Sequence, residues 1–208
     1  MRTLIVTAHA DPAPAPGEQP RSVTHRTARR IQELLGGAAE EAHLAQEGFD
    51  PRFTAADREA YLTGATAAPD VIAEQRRLDR ADHVVLVFPV YWWSMPALLK
   101  GWVDRVFVAG WAFDIGDDDR VVPRLDRLTA HLVPVSGTPA GSFERHGYAR
   151  SFRTQVEHGV VGYCGMRSGA TAFVHDSESA DAAVVAAAVD AAATAVADAV
   201  RGGGMLAR

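Results

Sequence analysis

The 208-residue chain has a single cysteine, Cys164, which excludes an intrachain disulfide and leaves no basis for a thiolate metal cluster. It also lacks surplus positive charge. With 21 basic against 26 acidic residues the net charge is −5, so nucleic acid is disfavoured as a partner. No run approaches the ~20 apolar residues of a membrane span. The opening MRTLIVTAHADP is too poor in apolar residues for a secretory signal. The Ala-rich tail VVAAAVDAAATAVADAV carries Asp190 and Asp198 at helical intervals and is read as an amphipathic helix. The expectation is a cytoplasmic globular protein without membrane insertion. Two phosphate fingerprints are missing as well, G-x-G-x-x-G and G-x-x-x-x-G-K-S/T. Any phosphate must then be held by hydroxyls and backbone amides.

What is present suits one packed domain over 1–208, since 48% of residues are apolar. Thr3 to Ala8 is a short apolar, β-branched run, the mark of a buried parallel strand. Ser22 suits the cap of a basic helix that stops near Leu35, Gly36 and Gly37. Ala39 to Ala45 is a weak strand, and 46–68 is a long excursion without periodicity. Pro69 and Asp70 open a helix running to Ala81, with Val71, Ile72 and Leu78 apolar. His83 to Phe88 is a second strong strand, and Pro96 is placed as the first helical position of the segment after it. Thr129 to Val135 and Ala170 to Val174 complete the strands, and the Ala-rich helix closes the chain. Strands alternating with helices predict an open parallel α/β sheet covered on both faces.

Such sheets bind ligands outside the carboxyl ends of their strands. Three loops qualify: His9 to Thr24, Pro89 to Met95 and Ser136 to Tyr148. In the first, Ser22 has two readings, a helix cap or a phosphate ligand at a helix N-terminus, where Thr24 and His9 could add donors. In the third, Ser136, Gly137 and Thr138 let a backbone approach a planar ligand, or form an ordinary turn; His146 and Tyr148 stand at its rim. The middle loop is the most informative. Pro89, Val90, Tyr91, Trp92 and Trp93 set broad apolar faces at the mouth of the sheet, costly unless a ligand or partner meets them, or else Trp92 and Trp93 pack under neighbouring loops.

The stretch from Asp70 to Phe113, with PVYWWSMPALLKGWVDRVF at its centre, closely resembles the signature of the NAD(P)H:quinone oxidoreductase family. That family has a flavodoxin-like fold and includes DT-diaphorases, bacterial quinone reductases and cytoplasmic ancillary subunits of potassium-efflux systems. His9 with Asp11 and Pro12, the RSVTH segment, Phe49 with Asp50 and Pro51, GTPA with HGY, and VVGYCGM extend the likeness over nearly the whole chain. It implies a three-layer α/β/α sandwich around a five-stranded parallel sheet of order 2-1-3-4-5, usually as a homodimer. It also implies a bound flavin, FAD or FMN, with NAD(P)H as hydride donor and a quinone-like acceptor in ping-pong turnover. By this resemblance Pro89, Val90, Tyr91, Trp92 and Trp93 line the flavin ring, and Ser136, Gly137 and Thr138 bind its other edge. His9, Ser22, Val23 and Thr24 hold its phosphate, the helix Lys100–Phe107 supports the flavin loop, and Phe113 closes the partner's pocket. Phe143 stands where better-known members have a tyrosine, so the catalytic part falls to His146 or Tyr148. Two other roles are compatible: a regulatory subunit of a potassium-efflux transporter, or a tailoring quinone reductase of a biosynthetic pathway.

Overall fold

The structure is a computed structural model that describes residues 1–15, 17–36 and 39–203; Gly37, half of the expected helix stop, lies outside them. Five parallel strands form the sheet: β1 (Thr3–Thr7), β2 (Glu40–His43), β3 (His83–Pro89), β6 (Thr129–Val135) and β7 (Arg167–Thr171). Their order is β2-β1-β3-β6-β7, which is 2-1-3-4-5 counted over the sheet strands alone. Side chains alternate along the strands and so feed two cores. On one face Ile5, Val85, Val87 and Val133 meet Ala28 and Ile31 of α1 (Val23–Leu34) and Val189, Ala193 and Val196 of α7 (Ala182–Gly203). On the other, Leu4, Val6, Leu86 and Phe88 meet Leu78 of α3 (Pro69–Arg80) and Leu99 and Trp102 of α4 (Ala97–Val106). The fold is the expected flavodoxin-like three-layer sandwich.

Several expectations are corrected. The excursion 46–68 contains α2 (Ala55–Thr63), capped by reciprocal bonds between Thr54 and Asp57. It buries no residue fully, so it leaves no apolar period to read. Its hold is Arg105 on α4, whose guanidinium donates to Asp57 (3.1 Å), to the Asp50 carbonyl (2.8 Å) and to both oxygens of Asp70. Gly101 lets this segment close on α4, since a Cβ there would lie 2.0 Å from the Pro51 carbonyl oxygen. Pro96 is the N-cap of α4 rather than its first helical residue. The last sheet strand begins at Arg167, not Ala170, and Val174 makes only an isolated bridge to Val135. Unforeseen are a hairpin of β4 (Phe113–Ile115) and β5 (Val121–Pro123), two short helices, α5 (Ala140–His146) and α6 (Tyr148–Phe152), and a π-helical segment, Arg153–Gly162. By length and composition α7 is apolar enough to cross a membrane, against the expectation, yet its valine stripe packs on the sheet. Cys164 is buried, and burial pushes its thiol up to about 11. The exposed Lys100 amine pairs with Asp104 at 2.6 Å.

At the amino ends of the strands lies a buried histidine pair. The Ala170 amide donates to His131 Nδ1 (3.0 Å), which puts the His131 proton on Nε2 and directs it to His83 Nδ1 (3.0 Å). Gly169 makes room for this, because a Cβ there would lie 2.4 Å from the His131 ring. Burial first, then the neighbouring His83, lowers the pKa of His131 to about 4. His83 is lowered too, chiefly by burial, with Arg167 and the N-terminal amine acting in the same sense and Asp82 against. Between about pH 6.5 and 4 the unfolded chain therefore binds the proton that folded His131 refuses. Its contribution is complete above the unfolded pKa and is lost as pH falls. The expected loss is about 3 kcal/mol across that window. Melting temperature measured from pH 7 to 4 should fall steeply, and His131→Gln should flatten the lower part of the curve; parallel curves would refute the assignment.

Candidate functional site

The register of the sheet sets three loops side by side, because Thr7 of β1 pairs with Val87 and Val135 of β6 pairs with Pro89. After Pro89 the Val90 amide still reaches the Val135 carbonyl at 2.7 Å, and then the chain reverses at once. Tyr91 and Ser94 exchange two backbone hydrogen bonds of 3.1 Å around Trp92 and Trp93. Both tryptophans have left-handed backbones, φ 49° and 67°, the geometry of a type I′ turn that ordinarily takes Asn and Gly. A bulky side chain there costs on the order of 1–2 kcal/mol. The turn displays its side chains unequally. Trp92 is 93% exposed, whereas Trp93 lies flat on Tyr148, ring centroids 3.8 Å apart and planes 8° apart. Trp93 also meets Phe143 edge-on at 5.8 Å.

The loop after β6 complements this wall. Ser136 is buried; its amide donates to the Val174 carbonyl at 2.8 Å, and its hydroxyl accepts from the Thr138 amide at 3.0 Å. Of the three amides expected to face a ligand, only that of Gly137 has no acceptor among the described residues. The amides of Trp92 and Trp93 are likewise unspent among the described residues. A Cβ on Gly137 would lie 2.7 Å from Glu178 Cδ, so that carboxylate shares the loop's outer edge. His175 donates from Nδ1 to the Thr138 carbonyl at 3.0 Å and stacks parallel to Phe173. Neither Glu178 nor His175 was singled out from the sequence. Both follow a weak, Gly-containing strand, and only the shift of β7 brings them here.

At the third corner Ser22 caps α1, accepting from the His25 amide at 3.1 Å and sharing a 2.8 Å hydrogen bond with His25 Nδ1. Thr24 and His25 are buried, Val23 and His9 half-buried. The His25 ring stands 5.2 Å from that of His9 and 5.7 Å from that of His43. Burial, then His9 and His43, lower His25 to about 4, so it is neutral at physiological pH. The buried Thr7 Oγ1 and His43 Nδ1 nearby lack hydrogen-bond partners among the described residues. A cleft of about 330 Å³ opens over this corner, lined by Asp11, Pro12, Glu18, Gln19, Arg21 and Ser22. His25 was legible only as the fourth residue of the capped turn.

The structure thus joins Trp93, Tyr148 and His146, whose ring lies 5.4 Å from Tyr148, in one aromatic cluster. Phe143 is only 1% exposed and stands behind Trp93 and Tyr148, so it shapes a pocket only through them. Phe113 is buried under Tyr163, ring centroids 5.0 Å apart, and takes no part in this cluster. The segment 100–107 is largely buried and makes up most of α4, the helix into which the turn leads. These residues fit a flavin. They offer a flat aromatic wall, unspent amides on both sides of the mouth, a glycine where backbone must come close, and a hydroxyl-bearing helix N-terminus for phosphate. Among the described residues no cluster could hold a metal ion.

A family model described as "Flavodoxin-like fold" matches residues 1–196. Ribosyldihydronicotinamide dehydrogenase (quinone) of Mus musculus is 31% identical over 190 residues, which span 80% of this chain and 78% of that relative. An NAD(P)H:quinone oxidoreductase from Methanothermobacter marburgensis superposes with a TM-score of 0.84 at 21% identity, over 95% of this chain and 98% of that one. An FMN-dependent NADH-azoreductase from Bacillus anthracis str. Ames Ancestor, solved in complex with FMN, gives 0.70 at 16% identity, over 95% and 98%. At such identities the two structures show likeness of fold alone.

The strained turn has a measurable consequence. Trp92→Gly removes an exposed side chain and relieves a left-handed backbone, so stability should rise by about 0.5–1 kcal/mol, or a few degrees in Tm. Trp93→Gly relieves the same strain but loses the Tyr148 stack, and should melt below wild type. Equal melting of the two variants would remove the argument.

Proposed function

The chain belongs to the flavodoxin-like fold family, alongside the quinone dehydrogenase of Mus musculus, and on that premise we propose that it is a flavin-dependent NAD(P)H oxidoreductase acting on a quinone or similar electrophile. The observation that supports this best is the left-handed Trp92–Trp93 turn at the end of β3, whose Trp93 stacks on Tyr148, beside a neighbouring loop where the Gly137 amide has no acceptor among the described residues. The relatives' names, which are those of enzymes, favour catalysis over a regulatory part in a transporter.

When bound, a flavin supplies a two-electron relay from NAD(P)H to the acceptor, the two using one face by turns. The chain's own residues do the rest. Pro89 to Trp93 fix one edge of the ring through the amides of Trp92 and Trp93, and Gly137 donates to the other. Ser22, Thr24 and His9 hold the phosphate with hydroxyl, imidazole and the helix dipole. Neutral His25 adds a hydrogen-bond partner there without adding charge. Trp92 and Trp93 exclude water and present apolar faces to a planar acceptor, and the Tyr148 hydroxyl or His146 imidazole stabilises oxygen as it gains charge. A homodimer belongs to the same reading. Phe53, Tyr61, Leu62, Ile115, Val122 and Tyr163 are exposed apolar surface that a second copy would cover.

Heat release from purified protein followed by chromatography should yield a flavin, and the flavin absorbance should bleach on adding NAD(P)H. Protein that binds no flavin, or holds one that NAD(P)H leaves oxidised, ends the proposal. Tyr148→Phe or His146→Gln should slow acceptor reduction ~100-fold while leaving bleaching by NAD(P)H nearly unchanged. Sedimentation at micromolar concentration should give twice the chain mass.

A further inference from the structure

β7 ends at Thr171, yet the chain beyond it closes on the loop after β6. Phe173, Val174 and His175 run extended past that loop, Val174 bridging to Val135, so their side chains alternate. Val174 enters the core beneath α1 and α7. Phe173 and His175 share the other side, ring planes 8° apart and centroids 5.2 Å apart. Phe143 meets the His175 ring edge-on at 5.0 Å, so the imidazole is held between two phenyl rings. Its Nδ1 stands 3.0 Å from the Thr138 carbonyl oxygen. A carbonyl only accepts, so Nδ1 carries the proton of the neutral ring.

The same segment takes up most of the polar backbone of Ser136–Thr138. The Val174 carbonyl accepts from the Ser136 amide at 2.8 Å, and the Ser177 amide donates to the Ser136 carbonyl at 3.0 Å. His175 holds the Thr138 carbonyl, while the Thr138 amide is turned back on the Ser136 hydroxyl. The Gly137 amide, in the middle, is left without an acceptor among the described residues. Asp176, between the clasping residues His175 and Ser177, has a left-handed backbone, φ 53°. Non-glycine residues with positive φ number four among the described residues. Asp119 sits in the β4–β5 turn, and the other three, Trp92, Trp93 and Asp176, flank this site. Strain gathered around one unspent amide marks a conformation that the surroundings hold for a use.

Resting on the flavin reading above, we propose that His175 is a positioning residue for electron uptake. By clasping Thr138 it fixes the Gly137 amide toward the accepting edge of the flavin and so favours the reduced cofactor. The hydrogen-bond acceptors of a flavin ring lie on its pyrimidine side, which gains negative charge on reduction. A hydrogen bond to a charged acceptor is about twice as strong as one to a neutral acceptor. A rigidly held amide therefore stabilises the reduced ring more than the oxidised one, and needs no reorganisation to do so. Released from His175, the loop is free to turn the amide to water, and that difference is lost.

Two variants separate the hydrogen bond from the ring. His175→Phe keeps a flat ring against Phe173 and removes the donor; His175→Asn keeps a donor near the Nδ1 position and removes the ring. The midpoint potential of the flavin-loaded proteins is read by spectrophotometric titration against redox dyes. His175→Phe should hold the reduced flavin ~10-fold more weakly relative to the oxidised one, a fall of ~30 mV for two electrons. His175→Asn should return that ratio to within about threefold of wild type, even where its Tm drops. Nitrogen-15 NMR of the flavin-free protein should place the His175 proton on Nδ1. An unchanged potential in His175→Phe overturns the proposal, as does a proton on Nε2. An Asn variant as low in potential as the Phe variant also overturns it, because ring packing is then the cause. Wild type that binds no flavin brings down the flavin reading itself, a result distinct from unaltered potentials in loaded variants.

Discussion

β3 has neither a free edge nor a free face, and the rest of the molecule is arranged around that constraint. It pairs with β1 on one side and β6 on the other, and His83 to Phe88 are buried throughout. Apart from His83 at its start, polar side chains have no place along its length and gather where it stops. The same pairing fixes how far the flanking strands run beside it, so their loops open at the same level. The site follows from register: three loops that share no sequence neighbourhood become adjacent because three strands end together.

The strands buried on both faces were legible for the same reason. Such a strand needs no polar alternation, so TLIVT and HVVLVF read as continuous apolar runs. β7 was placed three residues late because it is an edge strand of sequence RSGAT, while the more apolar Phe173 and Val174 beyond it serve the aromatic cluster and a lone bridge. α2 escaped notice because its anchor, Arg105, lies 48 residues downstream of Asp57 and works through charge. The site was legible as three loops but not as a conformation. Nothing in PVYWWSMP signals a type I′ turn, since the Asn or Gly that would announce it is absent. That departure from local preference is itself informative, because strain of this kind tends to persist where surrounding structure has a use for it.

The helix that follows the strained turn is firmly held. Pro96 restarts the chain two residues after Ser94, and α4 is fastened from several directions. Trp102 donates from its indole nitrogen to Glu74 of α3 at 2.9 Å, and Glu74 also accepts from Arg77 at 2.8 Å. One turn on, Arg105 gathers Asp57, Asp70 and the Asp50 carbonyl, while Arg105 also lies over the Phe49 ring at 5.3 Å. Removing one partner from so buried a set would leave charge uncompensated, which costs more than the pair contributes. The excursion and α3 thus act as a brace for α4, the helix into which the turn leads.

The burial of Cys164 bears on what the molecule can survive. Quinones are electrophiles that add to thiolates and to free amines. The chain carries one cysteine and one lysine in 208 residues. The thiol is closed off in the core and held protonated at neutral pH, and the amine of Lys100 is occupied by Asp104. Basic charge elsewhere resides on arginine, whose guanidinium stays protonated and is a poor nucleophile. If the acceptor is the electrophile proposed above, a protein of this composition offers it few thiols or amines to arylate.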